Sequence, residues 1–170
     1  MKIIVLIAAL IALAGIALYA ARFYSTVQVS RKLIHTATPY QLLSDDRTRS
    51  LLVLGDSTAY GVGADKPEES LAGRVAAYAG MTYVENRASS GAVTKDLRGQ
   101  IEAATLERYD VILIQIGGND IIQFHNPKRS ADELELALRA LPKAEKVVIL
   151  SAGDVGGATL FPSPITWIHS

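Results

Sequence analysis

Three short stretches hold residues whose chemistry could be pooled: Gly55-Asp56-Ser57, Ser89-Ser90-Gly91 and Gly117-Gly118-Asn119-Asp120. A serine that attacks an ester carbonyl creates a tetrahedral oxyanion. About two or three preorganised donors roughly 3 Å from that oxygen lower the barrier, each typically worth about 10²–10³ in rate. The backbone N–H groups of Ser57 and Gly91 and the side-chain amide of Asn119 are donors of this kind. Glycine at 91 would let the backbone approach a substrate with no Cβ in the way. Asp56, Gly118 and Asp120 flank these groups as candidate substrate-site residues, with both carboxylates expected mainly to accept local backbone hydrogen bonds. Taken alone, Ser57 reads more readily as a turn or helix-cap residue than as a nucleophile. Only the three stretches together point to acyl transfer.

For the stretches to meet, the chain must carry them to one edge. From Leu51 onward, strand and helix patterns alternate. The runs 51–54 (LLVL), 82–85 (TYVE), 111–116 (VILIQI) and 146–150 (KVVIL) are short, apolar and rich in β-branched residues, as in the buried strands of a parallel sheet. Three helices are predicted between them. One runs from Pro67 to Ala79, with Asp65 and Glu68 as its cap and Gly80 as its stop; a second spans Thr94 to Leu106. The third opens at a capping box of Ser130 and Glu133, carries Leu134, Leu138 and Leu141 on one stripe, and ends at Pro142. The order βαβαβαβ requires right-handed crossovers and a doubly wound, three-layer parallel sheet. Sheets of that kind bind ligands at the carboxyl ends of their strands, and each of the three stretches follows a predicted strand.

The amino-terminal end is of a different kind. Residues 3–21 are uncharged and nearly all apolar, between Lys2 and Arg22. At about 1.5 Å per residue they make just enough helix to cross a hydrocarbon core of roughly 30 Å. Residues 1–22 are therefore expected to be an uncleaved signal anchor, with a cleaved signal peptide as the competing reading. Residues 23–48 read as a polar juxtamembrane linker and 49–170 as the folded domain. Lys2 and the amino terminus on one side nearly balance Arg22, Arg31 and Lys32 on the other, so charge alone does not orient the segment.

Composition removes several function classes. The 170 residues carry 17 basic and 17 acidic side chains, so no nucleic-acid-binding face is expected. There is no cysteine, which excludes disulfides, thiolate metal sites and a cysteine nucleophile. The three histidines, His35, His125 and His169, lack metal-ligand spacing, and no metal or cofactor is expected. Gly61-Val62-Gly63-Ala64-Asp65 begins like a dinucleotide fingerprint, but Lys66 stands where the third glycine belongs.

The same three stretches resemble blocks I, II and III of the SGNH/GDSL hydrolases, serine esterases and lipases. The match covers residues 51 to about 160 in order and spacing. The resemblance implies a flavodoxin-like fold, Ser57 as nucleophile, and Ser57 N–H, Gly91 N–H and Asn119 as oxyanion donors. The substrate it implies is a carboxylic ester, of a lipid, a thioester or an O-acyl sugar. If the anchor exports the domain, as resembling proteins suggest, the site is extracytoplasmic.

A serine is a weak nucleophile until a general base holds its proton. In the resembled family that base is the histidine of an Asp-x-x-His block near the carboxyl terminus, and no such block occurs here. His35 precedes the domain. His125 follows the third stretch and is a candidate substrate contact or loop residue. His169 has the spacing, but Thr166 stands in the place of the orienting carboxylate, and a threonine cannot offset the charge of an imidazolium. The expectation is a domain lacking its last strand and catalytic block, with little esterase activity and an uncovered apolar sheet edge. A catalytically dead binding or scaffold protein at the membrane is the alternative.

Overall fold

The computed structural model describes residues 2–151 of the chain. Four strands, β1 (Ser50–Gly55), β2 (Tyr83–Asn86), β3 (Arg108–Ile116) and β4 (Lys143–Ser151), form one parallel sheet in the order β2-β1-β3-β4. Each begins or ends one to three residues away from the predicted apolar run, because ladder pairing continues into flanking polar residues such as Arg108 and Lys143.

Side-chain alternation along these strands builds a core on each face. Leu52, Leu54, Ile112 and Ile114 point to one side, where α4 (Leu97–Glu102) and α6 (Pro127–Arg139) cover them with Leu97, Ile101, Leu134, Ala137 and Leu138. Leu51, Val53, Val84 and Leu113 point to the other. There α2 (Ser57–Tyr60) and α3 (Leu71–Ala79) supply Ala59, Ala72 and Ala76. The result is the expected three-layer α/β arrangement, with sequential strands joined by helices.

Helix boundaries differ from the predicted ones for local reasons. The first crossover helix starts at Leu71. Its cap is Ser70, whose Oγ accepts from Gly73 N at 3.1 Å and donates to the Pro67 carbonyl at 2.6 Å, so Pro67–Glu69 is a separate 3-10 turn. The second opens as a 3-10 turn at Thr94–Asp96 and stops at Glu102. Just beyond it, Thr105 gives both its N–H and its hydroxyl to the Glu85 carboxylate. The third starts at Pro127 under an Asn126 cap that accepts from Lys128 N and Arg129 N. The capping box expected at Ser130 and Glu133 is absent. Ser130 lies inside α6 with its hydroxyl on Asp120, and Glu133 pairs with Arg129.

A 35-residue helix, α1 (Lys2–Thr36), precedes the sheet and continues well past the apolar run into residues read as linker. Among the described residues, no helix is long and apolar enough to cross a membrane, so the transmembrane segment expected at 3–21 is not found. Beyond the apolar run, α1 continues through the charged residues Arg22, Arg31 and Lys32. Further along, Leu42 makes an antiparallel bridge with Val84, and Gln41 Nε2 donates to the Asn86 carbonyl at 3.2 Å. This stretch therefore lies on the outer side of β2. At the opposite edge, β4 leaves Val147 and Ile149 43% and 44% exposed.

Candidate active site

All four strands are parallel, so the segments leaving them emerge on one side of the sheet, and the first three of these come from neighbouring strands. Gly55 ends β1 at a φ of +138°, and an added Cβ there would sit 1.8 Å from the Gln115 carbonyl oxygen. Only glycine lets β1 and β3 approach so closely at this point. Asp56 follows with its N–H on the Gln115 carbonyl at 3.0 Å and its Oδ1 accepting from Thr58 N at 3.0 Å. It is the N-cap of α2, buried, and burial pushes its carboxyl above the ordinary range against the pull of the Thr58 N–H.

Ser57 is thereby the first residue of α2, half-buried at the carboxyl end of β1. Among the described residues, nothing partners its hydroxyl. Neither His125 nor any other described histidine or carboxylate bonds it.

After β2, the Asn86 side chain turns the chain by accepting from Ala88 N, and Ser89 N donates to the Gly55 carbonyl at 3.0 Å. Gly91 has a φ of +83°, a left-handed value that disfavours side chains, while an added Cβ would touch nothing within 4 Å. The glycine is thus required by backbone angle, and the space in front of it is open. A groove of about 530 Å³ beside it is lined by Arg87, Ser89, Ser90, Asp96 and Gln100, among others.

After β3, Gly117 leads into α5 (Gly118–Ile122), which contains Gly118, Asn119 and Asp120. Asn119 Nδ2 donates to the Ala92 carbonyl at 2.8 Å. Asp120 is only 5% exposed and reaches away from its own backbone. Its Oδ2 accepts from Thr94 N at 2.9 Å and Thr94 Oγ1 at 3.0 Å, and its Oδ1 from Ser130 at 2.9 Å, with His125 Nδ1 at 3.3 Å. Burial would raise this carboxyl, but the donors from Thr94, Ser130 and His125 outweigh it and hold it below the ordinary value. Asp120 is therefore a tie between three segments. His125 is bound to that tie, on a turn that places Phe124 at a φ of 54°.

The structure thus brings Ser57, Gly91 and Asn119 onto three adjacent strand exits that bond to one another. His35 lies at the end of α1, outside this group, and His169 and Thr166 lie outside the described residues. Sequence reasoning missed Gln100, whose side chain grips Gly55; a polar residue between the core positions Leu97 and Ile101 was its only signal. It also missed Glu85, 1% exposed, which gathers hydrogen bonds from Thr105, Tyr109 and Arg87. Among the described residues, no cluster of histidine, aspartate or glutamate could hold a metal.

Comparison with known proteins matches residues 53–169 to the GDSL-like Lipase/Acylhydrolase family. The GDSL-like esterase Rv1075c of Mycobacterium tuberculosis is 32% identical over 123 residues, covering 68% of this chain and 39% of that protein. Among solved structures, protein YXIM of Bacillus subtilis aligns at a TM-score of 0.52 and 23% identity, over 68% of this chain and 35% of its own. AlinE4, an SGNH-hydrolase family esterase, aligns at 0.48 and 23%, over 69% of this chain and 67% of its own. This chain therefore spans about two fifths of the curated relative's length. With the match running through the strand exits that carry Ser57, Gly91 and Asn119, the chain belongs to the GDSL-like lipase/acylhydrolase family.

Proposed function

We propose that this chain carries the nucleophile and oxyanion hole of a serine ester hydrolase. Ser57 Oγ attacks the carbonyl carbon of a carboxylic ester. The Oγ–C bond forms, the ester C–O bond breaks, and the serine proton passes through a base to the leaving alcohol. Water then releases the acid from the acyl-serine. The Ser57 N–H, the Gly91 N–H and the second amide proton of Asn119 are proposed as donors to the oxyanion.

The observation that carries this reading is the bonding of the three exits to one another: Asp56 N and Ser89 N to the β3 and β1 ends, and Asn119 Nδ2 to Ala92. Such ties preorganise donors before substrate arrives. An ester of a small alcohol, a lipid or a sugar fits the proposal equally.

The base is the open position. No Asp-x-x-His occurs in the 170 residues, and the Ser57 hydroxyl has no partner among the described residues. Turnover by the chain alone is therefore proposed to be slow, because Ser57 must attack without a base to hold its proton. The same unpartnered hydroxyl favours, as a second reading, a binding protein that keeps the rim without turnover. Hydrolysis of p-nitrophenyl acetate by the native chain and by Ser57→Ala separates the two. A rate that falls to the buffer background in the variant supports the hydrolase, and identical rates support the binding protein.

A location outside the cytoplasm, at a membrane surface, completes the proposal. It is supported by the uncharged residues 3–21 and by the exposure of Ile3, Leu10, Ile11, Leu13, Ile16 and Leu18 along α1. Recovery in the soluble fraction after cell lysis would contradict it.

A further inference from the structure

We propose that Gln100 is a positioning residue for the nucleophile: its side-chain amide replaces a missing strand residue and fixes the β1 exit from which Ser57 projects. This rests on the reading of Ser57 as the nucleophile.

In a parallel sheet, the N–H and C=O of one residue point to the same neighbouring strand. On the β2 side, β1 is served as far as Val53, whose carbonyl accepts from Arg87 N at 2.8 Å. The next residue facing that side is Gly55. By then the chain after β2 has turned off toward Gly91 and offers only Ser89 N, at 3.0 Å, to the Gly55 carbonyl. The Gly55 N–H would have no backbone acceptor. Gln100 closes the gap from α4. Its Oε1 accepts from Gly55 N at 2.7 Å, and its Nε2 donates to Gly55 O at 2.9 Å.

A primary amide carries the same donor and acceptor pair as a peptide group, so it can cap a ladder on both atoms at once. Gln100 is 8% exposed, and its neighbours Leu97 and Ile101 are buried in the core, so the clamp is held by the packing of α4. One side chain thereby governs two donor loops. Gly55 lies two residues before Ser57, and its carbonyl also holds Ser89, two residues before Gly91. A shift of about 1 Å in such a group is enough to cost roughly 10²-fold in rate.

The test compares the native full-length protein with Gln100→Met, which keeps length and apolar volume, and Gln100→Glu, which as a carboxylate keeps the acceptor and loses the donor. Both are measured for p-nitrophenyl acetate hydrolysis and for amide hydrogen exchange. Gln100→Met is expected to lower kcat by about 10–100-fold with KM within about threefold, since the clamp positions reacting groups without touching substrate. Gln100→Glu should fall between the two. Exchange should quicken at least tenfold at Gly55 and Ser89 while α3 and α6 keep their protection.

A merely structural Gln100 would lower Tm but leave kcat of the folded protein within threefold, which overturns the proposal. Unchanged exchange at Gly55 and Ser89 overturns it as well. Should Ser57→Ala hydrolyse as fast as the native protein, the hydrolase reading itself fails. The exchange result then decides on its own whether Gln100 clamps the strand exit.

Discussion

Asn119 donates from Nδ2 to the Ala92 carbonyl at 2.8 Å, joining the loop after β3 to the residue that follows Gly91. One amide proton is spent on that tie, and the other is the one proposed above as a donor to the oxyanion. Asn119→Ala removes both. We expect kcat for p-nitrophenyl acetate to fall about 10²–10³-fold, as for loss of one oxyanion donor, with KM little changed. A loss confined to KM would assign Asn119 to ground-state binding.

Asp120 should matter for stability before it matters for rate. Asp120→Ala strands the buried Thr94 N–H and is expected to cost about 1–3 kcal/mol in denaturant unfolding. The sign with pH follows from its lowered carboxyl. A depressed folded value means that the contribution is fully present above the ordinary carboxylate value of 3.8 and is lost as pH falls through the folded value. The gap between native and variant stability should be flat from neutral pH to about pH 5 and narrow only in more acid solution.

Tyr109 supplies an optical reporter of the buried Glu85 carboxylate. Its hydroxyl donates to Glu85 Oε2 at 2.5 Å, and burial, then that bond, pushes the phenol up to about 12. Tyr109 should stay neutral through the ordinary phenol range when absorbance at alkaline pH is followed. Because the folded value is raised, the neutral phenol stabilises the fold below the ordinary value of 10, and that contribution is lost as pH rises toward about 12. Glu85→Gln should lower the late titration by removing the charge that opposes the phenolate.

Gly55→Ala would set a methyl group 1.8 Å from the Gln115 carbonyl, at a φ that L residues avoid. Parting β1 from β3 is the only relief. The variant should lose more than about 3 kcal/mol or fail to fold, as expected of a substitution that overpacks a core and strains a special backbone angle at once. Gly91→Ala meets no atom within 4 Å, so it should fold, destabilised only by its φ, and lose activity instead.

Much of this was legible in the residues. The runs LLVL and VILIQI are continuous and apolar because their strands are covered on both faces, and that pattern is what made a parallel sheet readable. Gly55, Gly91 and Asn119 stood out because special residues followed each run. The caps were harder. Asp65 and Glu68 have capping-box spacing, yet Ser70 is the cap, since Pro67 fixes a 3-10 turn ahead of it. Asn126-Pro127 is a sound helix start in any sequence, but Ser130 and Glu133 offered a competing box. Gln100 and Glu85 were hidden for a different reason. Gln100 bonds Gly55, 45 positions away, and Glu85 reaches Thr105 and Tyr109, 20 and 24 positions away, and no local pattern announces such long-range bonds.

The most direct measurement is mass mapping of the chain after exposure to a fluorophosphonate. The account predicts an adduct on the peptide containing Ser57, absent from Ser57→Ala and formed about a hundredfold more slowly in Asn119→Ala. Equal labelling of native chain and Ser57→Ala, or no adduct on the Ser57 peptide of the native chain, would contradict it.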